Sequence, residues 1–302
     1  VVADHAESFE AAQDLAANSG GGPTVLRILL GTHLRKLRQS KKISREDAGY
    51  AIRASHAKIS RMELGQVSFK PRDVEDLLEL YGVTDPGERE ALLGLVSSAN
   101  AQGWWHQYGD VLPQWFGVYI GLEEAASVIR TYEVQFVPGL LQSEDYARSV
   151  IRLSHTVSEE EDIESRVQMR MHRQRRFEGQ GAPRLWAVID EAVLHRPYGD
   201  AKVMRGQIEH LIELAARPSI TVQIATFDVG GHAATGGPFS ILRFPTPQLP
   251  DLVYLEQLSS AQYLDKYEDT HLYAQTMDRL ATQAPPPAET PGILRGFLDR
   301  YS

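Results

Sequence analysis

"SREDAGYAIRASHAKISRMELG" (residues 44–65) reads as two short helices joined by a tight turn. Ser44 is placed to cap the first, "REDAGYAI", whose Glu46 and Asp47 fall in the opening turn, where the helix dipole favours anions. Ser55 caps the second, in which Ile59 and Met62 point one way and His56, Ala57, Ser60 and Arg61 the other, and Gly65 supplies a left-handed stop. Upstream, "LLGTHLRKLRQSKK" puts Leu30, Leu34 and Leu37 on one stripe at i, i+4, i+7 and leaves Arg35, Lys36 and Arg38 outside it. Downstream, "KPRDVEDLLELYG" opens on Pro71, sets Val74, Leu77, Leu78 and Tyr81 on one side and ends at Gly82. Asp85, Pro86 and Glu88 then form the cap, first-turn proline and N3 acid of a further helix, "GEREALLGLVSSA". The expectation is five helices in succession over residues 25–99, preceded by a flexible acidic arm over residues 1–24 that ends in three glycines.

Charge sharpens this reading. The chain carries -9 overall, yet the stretch from Arg27 to Tyr81 carries 12 cations against seven anions, +5, which leaves -14 on the rest. A small cationic module on an acidic body fits a polyanionic partner, the bland alternative being a solvated helical surface. With 302 residues, 42% of them hydrophobic, the chain is long enough for two globular domains. It contains no cysteine, which excludes disulfides, thiolate metal sites and cysteine nucleophiles and is compatible with a cytoplasmic setting. No run approaches the roughly 18 apolar residues of a membrane span, and the first residues lack a signal peptide's basic and apolar regions.

The longer run "LRKLRQSKKISREDAGYAIRASHAKISRMELG" (34–65) resembles the phage-repressor type of helix-turn-helix, the XRE family, over roughly residues 26–99. Many members have glycine at the turn between the two helices, where this chain has Arg53. The resemblance implies that the helix beginning at Ser55 enters the major groove of double-stranded DNA. His56, Ala57, Ser60 and Arg61 then face base edges, with Arg61 suited to bidentate bonding of guanine O6 and N7. Ser44, Ser55 and Lys58 are phosphate candidates beside the amino ends of both helices, and Arg38, Arg45 and Lys70 are weaker ones. Glu63 resembles the family's structural acid.

Beyond residue 100 the composition changes. Trp104, Trp105, Tyr108, Trp115, Phe116 and Tyr119 precede two helices separated by "FVPGLLQ". Aromatics so dense build a core or a seam, with a small-molecule pocket around Trp104, Trp105, Tyr108, Trp115 and Phe116 as the functional alternative. The next helix runs from "SEEEDIESR", with a capping box of Ser158 and Glu161, to "RMHRQRRF"; its charge gradient suits the macrodipole. A second nucleic-acid contact through Arg170, Arg173, Arg175 and Arg176 is the alternative there. From Arg184, "RLWAVID", "SITVQIATFD", "FSILRF" and "DLVYLEQL" read as strands, with a helix after the first and another, "DKYEDTHLYAQTMDRLATQA", after the last. "VGGHAATGG" lacks the GK[ST] of a phosphate loop, and Asp190, Glu191 and His195 lack HExxH spacing, so neither catalytic nor metal-binding residues are assigned. His232, on that glycine-rich loop, joins the pocket candidates.

"FVPGLLQSEDYAR", "RMHRQRRF", "VIDEAVLHRP", "VQIATFDVGGHAATGGPFSILRF" and "LVYLEQL" resemble the C-terminal domain that follows an XRE module in many actinobacterial antitoxin-like regulators. The expected architecture is multidomain: an all-α five-helix XRE-type domain (25–99), an α+β sensing or partner-binding domain (100–284), and a Pro-rich break and C-terminal tail (285–302). The expected function is sequence-specific transcriptional regulation of DNA as a homodimer, without cofactor or catalysis. An antitoxin-like module binding a small partner protein encoded nearby is one alternative, and a repressor responsive to a small-molecule effector is the other.

Overall fold

The computed structural model describes residues 22–154, 159–179, 181–245 and 249–301. The expected arm, apart from its last three residues, and the expected Ser158 capping box lie outside these. The chain divides into two compact units, one of residues 22–106 with Gly117–Ala125 and Leu249, the other of the remaining described residues.

The first unit holds helices α1 (Pro23–Ser40), α2 (Arg45–Ala51), α3 (His56–Glu63), α4 (Pro71–Leu80) and α5 (Pro86–Ala99). Proline opens α1, α4 and α5, where its missing amide would have had no helical partner. Helix α1 starts at Pro23, inside the expected arm. Leu30, Leu34 and Leu37 of α1 join Ala48, Ile52, Ile59, Met62, Val74, Leu77, Leu78 and Tyr81 in one core. Two local requirements shape the turn between α2 and α3. A Cβ on Gly49 would lie 2.7 Å from the Ala54 carbonyl oxygen, so only glycine lets α2 approach the following backbone. Arg53 takes φ 53°, the left-handed conformation that glycine adopts without cost and that strains a residue carrying a side chain. Gly65 closes α3 at φ 65°, matching its reading as a stop.

The second unit is built on a mixed six-stranded sheet of order β3-β2-β1-β4-β5-β6. Its strands are β1 (Val128–Glu133), β2 (Arg184–Asp190), β3 (Ile220–Ala225), β4 (Phe239–Arg243), β5 (Leu252–Glu256) and β6 (Ala261–Leu264). β1, β2 and β3 run parallel; β4, β5 and β6 continue antiparallel from the other edge of β1. Helix α6 (Gln114–Ala125) precedes β1; α7 (Glu144–Ser154) and α8 (Glu160–Gln174) lie between β1 and β2, and the short α9 (Ala192–His195) and α10 (Ala201–Ala215) between β2 and β3. On one sheet face Tyr132, Val188, Ile241 and Val253 pack with Met277 and Leu280 of α11 (Tyr267–Gln283).

The central strand β1 and the edge strand β6 correct the sequence reading, which placed only a helix ahead of "FVPGLLQ" and left "AQYL" unassigned. Within the stretch 285–302, expected as a break and tail, the described residues instead form helix α12 (Thr290–Leu298) between two 3-10 turns. Thr290 and Leu294 are wholly buried, the Thr290 hydroxyl donates to the Val222 carbonyl at 2.6 Å, and the Tyr301 hydroxyl donates to Leu194 O at 2.7 Å.

Candidate nucleic-acid interface

Helix α3 is set from both ends. Ser55 accepts the Lys58 amide on its Oγ at 3.3 Å, while Ile59 and Met62, each 1% exposed, anchor the inner face. That leaves His56, Ala57 and Arg61 exposed and Ser60 half-buried on the outer face. Neither His56 nor Arg61 makes a side-chain hydrogen bond or ion pair among the described residues. The amides of His56 and Ala57 sit in the first helical turn, where no intrahelical acceptor exists, and are open to an anion.

The remaining cations divide by what holds them. Arg38 corrects its reading as a phosphate ligand. It is 7% exposed, its Nε and Nη2 donate to the two carboxylate oxygens of buried Glu63 at 2.5 and 3.1 Å, and its Nη1 donates to Ile43 O at 2.8 Å. The bond to Glu63 raises the Arg38 guanidinium above its ordinary value, so the charge is permanent and already spent inside. Arg45 adds a third bond to Glu63 at 3.1 Å from a half-buried position. Lys58 is tied to Asp73, with Nζ 2.5 Å from Oδ2. Ser44 accepts the Asp47 amide at 3.0 Å and donates to its carboxylate at 2.7 Å. Lys70, at the N-cap of α4, is exposed and makes no cap bond.

Two residues beside α3 were missed. Tyr50, 88% exposed at the end of α2, and exposed Arg53 flank the turn, and neither has a side-chain partner among the described residues. The signal was available: Ala48, Gly49 and Ile52 turn inward, so helical spacing sends Tyr50 out.

The six pocket candidates are divided between the two units. Trp104 and Trp105 meet edge-on at 6.0 Å in the first unit, with Trp105 6% exposed and the Trp104 indole N–H donating to Glu124 at 2.9 Å. Tyr108, Trp115, Phe116 and His232 belong to the second unit. There Phe116 lies under the Arg173 guanidinium at 5.2 Å, whereas His232 contacts the Tyr132 hydroxyl at 3.0 Å beside Asp190. Of the arginines named for the alternative second nucleic-acid contact, Arg173 is buried and Arg176 donates to Ala126 O at 2.6 Å, while Arg175 is exposed.

This geometry, a capped helix with an unengaged outer face behind a tight turn, is that of a DNA-binding helix-turn-helix protein. Residues 29–92 match the family model described as "Helix-turn-helix domain". Residues 116–296, more than half of the chain, match "Domain of unknown function (DUF5753)", and the chain belongs to that family. No curated protein and no solved structure matches it.

Proposed function

We propose that this chain is a sequence-specific transcriptional regulator of the phage-repressor-like class that lays α3 in the major groove. The observation that carries the reading is the outer face of α3: His56, Ala57 and Arg61 are exposed, and the two polar side chains are unspent, while nearby Arg38, Arg45 and Lys58 are used within the fold. Arg61 reads a guanine through two parallel hydrogen bonds, Ala57 touches a thymine methyl, and His56 and Ser60 bond base edges. Ser55, Ser44, Lys70 and the exposed part of Arg45 and Lys58 meet phosphates, joined by Tyr50 and Arg53 across the turn. The protein acts as a homodimer, so its operator carries two half-sites about 34 Å apart.

Selection of bound duplexes from a random pool by the full chain tests this. The expected result is one enriched motif, present as an inverted repeat. Recovery no better than the input pool refutes base reading, and an asymmetric motif refutes the dimer alone.

A further inference from the structure

A cavity of about 460 Å³ opens in the second unit between residues 231–233, in the loop after β3, and Asp278, Arg279, Thr282 and Gln283 of α11. Its loop wall is tied to the C-terminal ends of the parallel strands β1 and β2, the place where open sheets of parallel strands hold their ligands. His232 makes the tie. Its Nδ1 accepts the Ala234 amide at 3.2 Å, which leaves the ring proton on Nε2 to be donated to the Tyr132 hydroxyl at 3.0 Å. Tyr132 donates in turn to Asp190 Oδ2 at 3.4 Å, and Asp190 Oδ1 accepts the Ala192 amide at 2.8 Å. Both ring nitrogens of His232 are used to hold the loop, so this wall is formed before any ligand arrives.

The polar groups lining the cavity are only partly spent. Arg279 is exposed and has no hydrogen bond or ion pair among the described residues. Asp278 meets Arg130 through Oδ1 at 2.5 Å and keeps Oδ2. The Thr282 hydroxyl donates to Asp278 O at 2.7 Å and keeps its lone pairs, while the Gln283 amide has no partner among the described residues. On the loop side Gly230 takes φ 67°, and the three amides that follow, of residues 231–233, have no acceptor among the described residues. Successive free amides after a left-handed residue suit a carboxylate. With an acid and a base on consecutive residues of α11, an ion of one sign gains from one and is repelled by the other, whereas a ligand carrying both signs gains from both.

We propose that this cavity binds a free amino acid as its zwitterion, the carboxylate on Arg279 and the amides of residues 231–233, the ammonium on Asp278 Oδ2 and the Thr282 hydroxyl oxygen. The assignment is independent of the DNA-binding reading. The volume falls in the range of small-molecule sites, roughly 300–1,000 Å³, and leaves room for a side chain beside Ala233 and Gln283.

Calorimetric titration of the full chain with L-leucine and with L-glutamine tests it, beside 4-methylpentanoate and isoamylamine, which carry the leucine skeleton with one charge each. An amino acid is expected to bind, and each single-charge analogue to bind about tenfold or more weakly than it. Arg279→Gln is expected to weaken the amino acid about tenfold or more and to leave the melting temperature unchanged, since the side chain makes no polar contact among the described residues. Asp278→Asn is expected to weaken it as well but also loosens Arg130, so Arg279→Gln keeps the test clear of a folding defect. No heat with either amino acid, an analogue that binds as tightly, or unchanged affinity in Arg279→Gln overturns the site.

Discussion

Arg61→Ala separates reading from folding. The Arg61 side chain is exposed and engages no residue of its own chain, so removing it takes nothing from the packed unit, and stability is expected to stay within about 0.5 kcal/mol. The loss falls on DNA. Two parallel bonds to one guanine contribute about 1–3 kcal/mol of discrimination, or about five- to 150-fold in affinity. Fluorescence anisotropy on the selected operator and on a scrambled duplex, each at several salt concentrations, reads this directly. The operator is expected to lose that factor and the scrambled duplex far less, with preference relaxed at one base pair. Equal losses on both duplexes would refute base reading by Arg61 and make it one more phosphate cation.

Glu63→Ala should cost about 3–5 kcal/mol, because it strands buried Arg38 and frees Arg45; urea unfolding followed by circular dichroism measures it, and a loss below about 1 kcal/mol would contradict a structural role for the pair. Gly49→Ala forces a methyl 2.7 Å from the Ala54 carbonyl and is expected to cost about 1–3 kcal/mol in the same assay, taking operator affinity with it. For Glu133, burial raises the folded carboxyl from 4.5 to about 8, so the folded state binds the extra proton between these values. Stability therefore falls as pH rises through that window, and Glu133→Gln should flatten the fall in urea midpoints measured from acid to mild base. An unchanged slope would place Glu133 in water.

Much of the first unit was legible because its signals are local. Ser44, Ser55 and Asp85 all cap as their spacing implies, and the apolar stripes of α1 and α4 face the core. The second unit hid its central strand. "VIRTYE" interleaves charged Arg130 and Glu133 with Ile129, Thr131 and Tyr132, because Arg130 reaches Asp278 of α11 and lies over Trp186 while Tyr132 fills the core. Those partners lie far along the chain, where no short window sees them. The C-terminal helix was hidden likewise: three prolines suggest a break, yet Thr290 finds its acceptor on β3.

Counting cations overstated what the helical unit offers to DNA and misplaced where it is offered. Arg38, Arg45 and Lys58 look like phosphate ligands on a helical net, but Glu63 and Asp73 meet them across the fold. These acids are part of the same net charge of +5, so the excess survives the pairing while its position changes. Pairing withdraws positive charge from α1 and from the α2 entry and leaves it on Arg53, Arg61 and Lys70, with Lys41 and Lys42 exposed after α1. The anions at the α2 entry, Glu46 and Asp47, are exposed, and Asp47 accepts the Ser44 hydroxyl. The cations left unpaired therefore lie around the turn and on the outer face of α3, and on the proposed reading the internal ion pairs help to aim that helix without touching DNA.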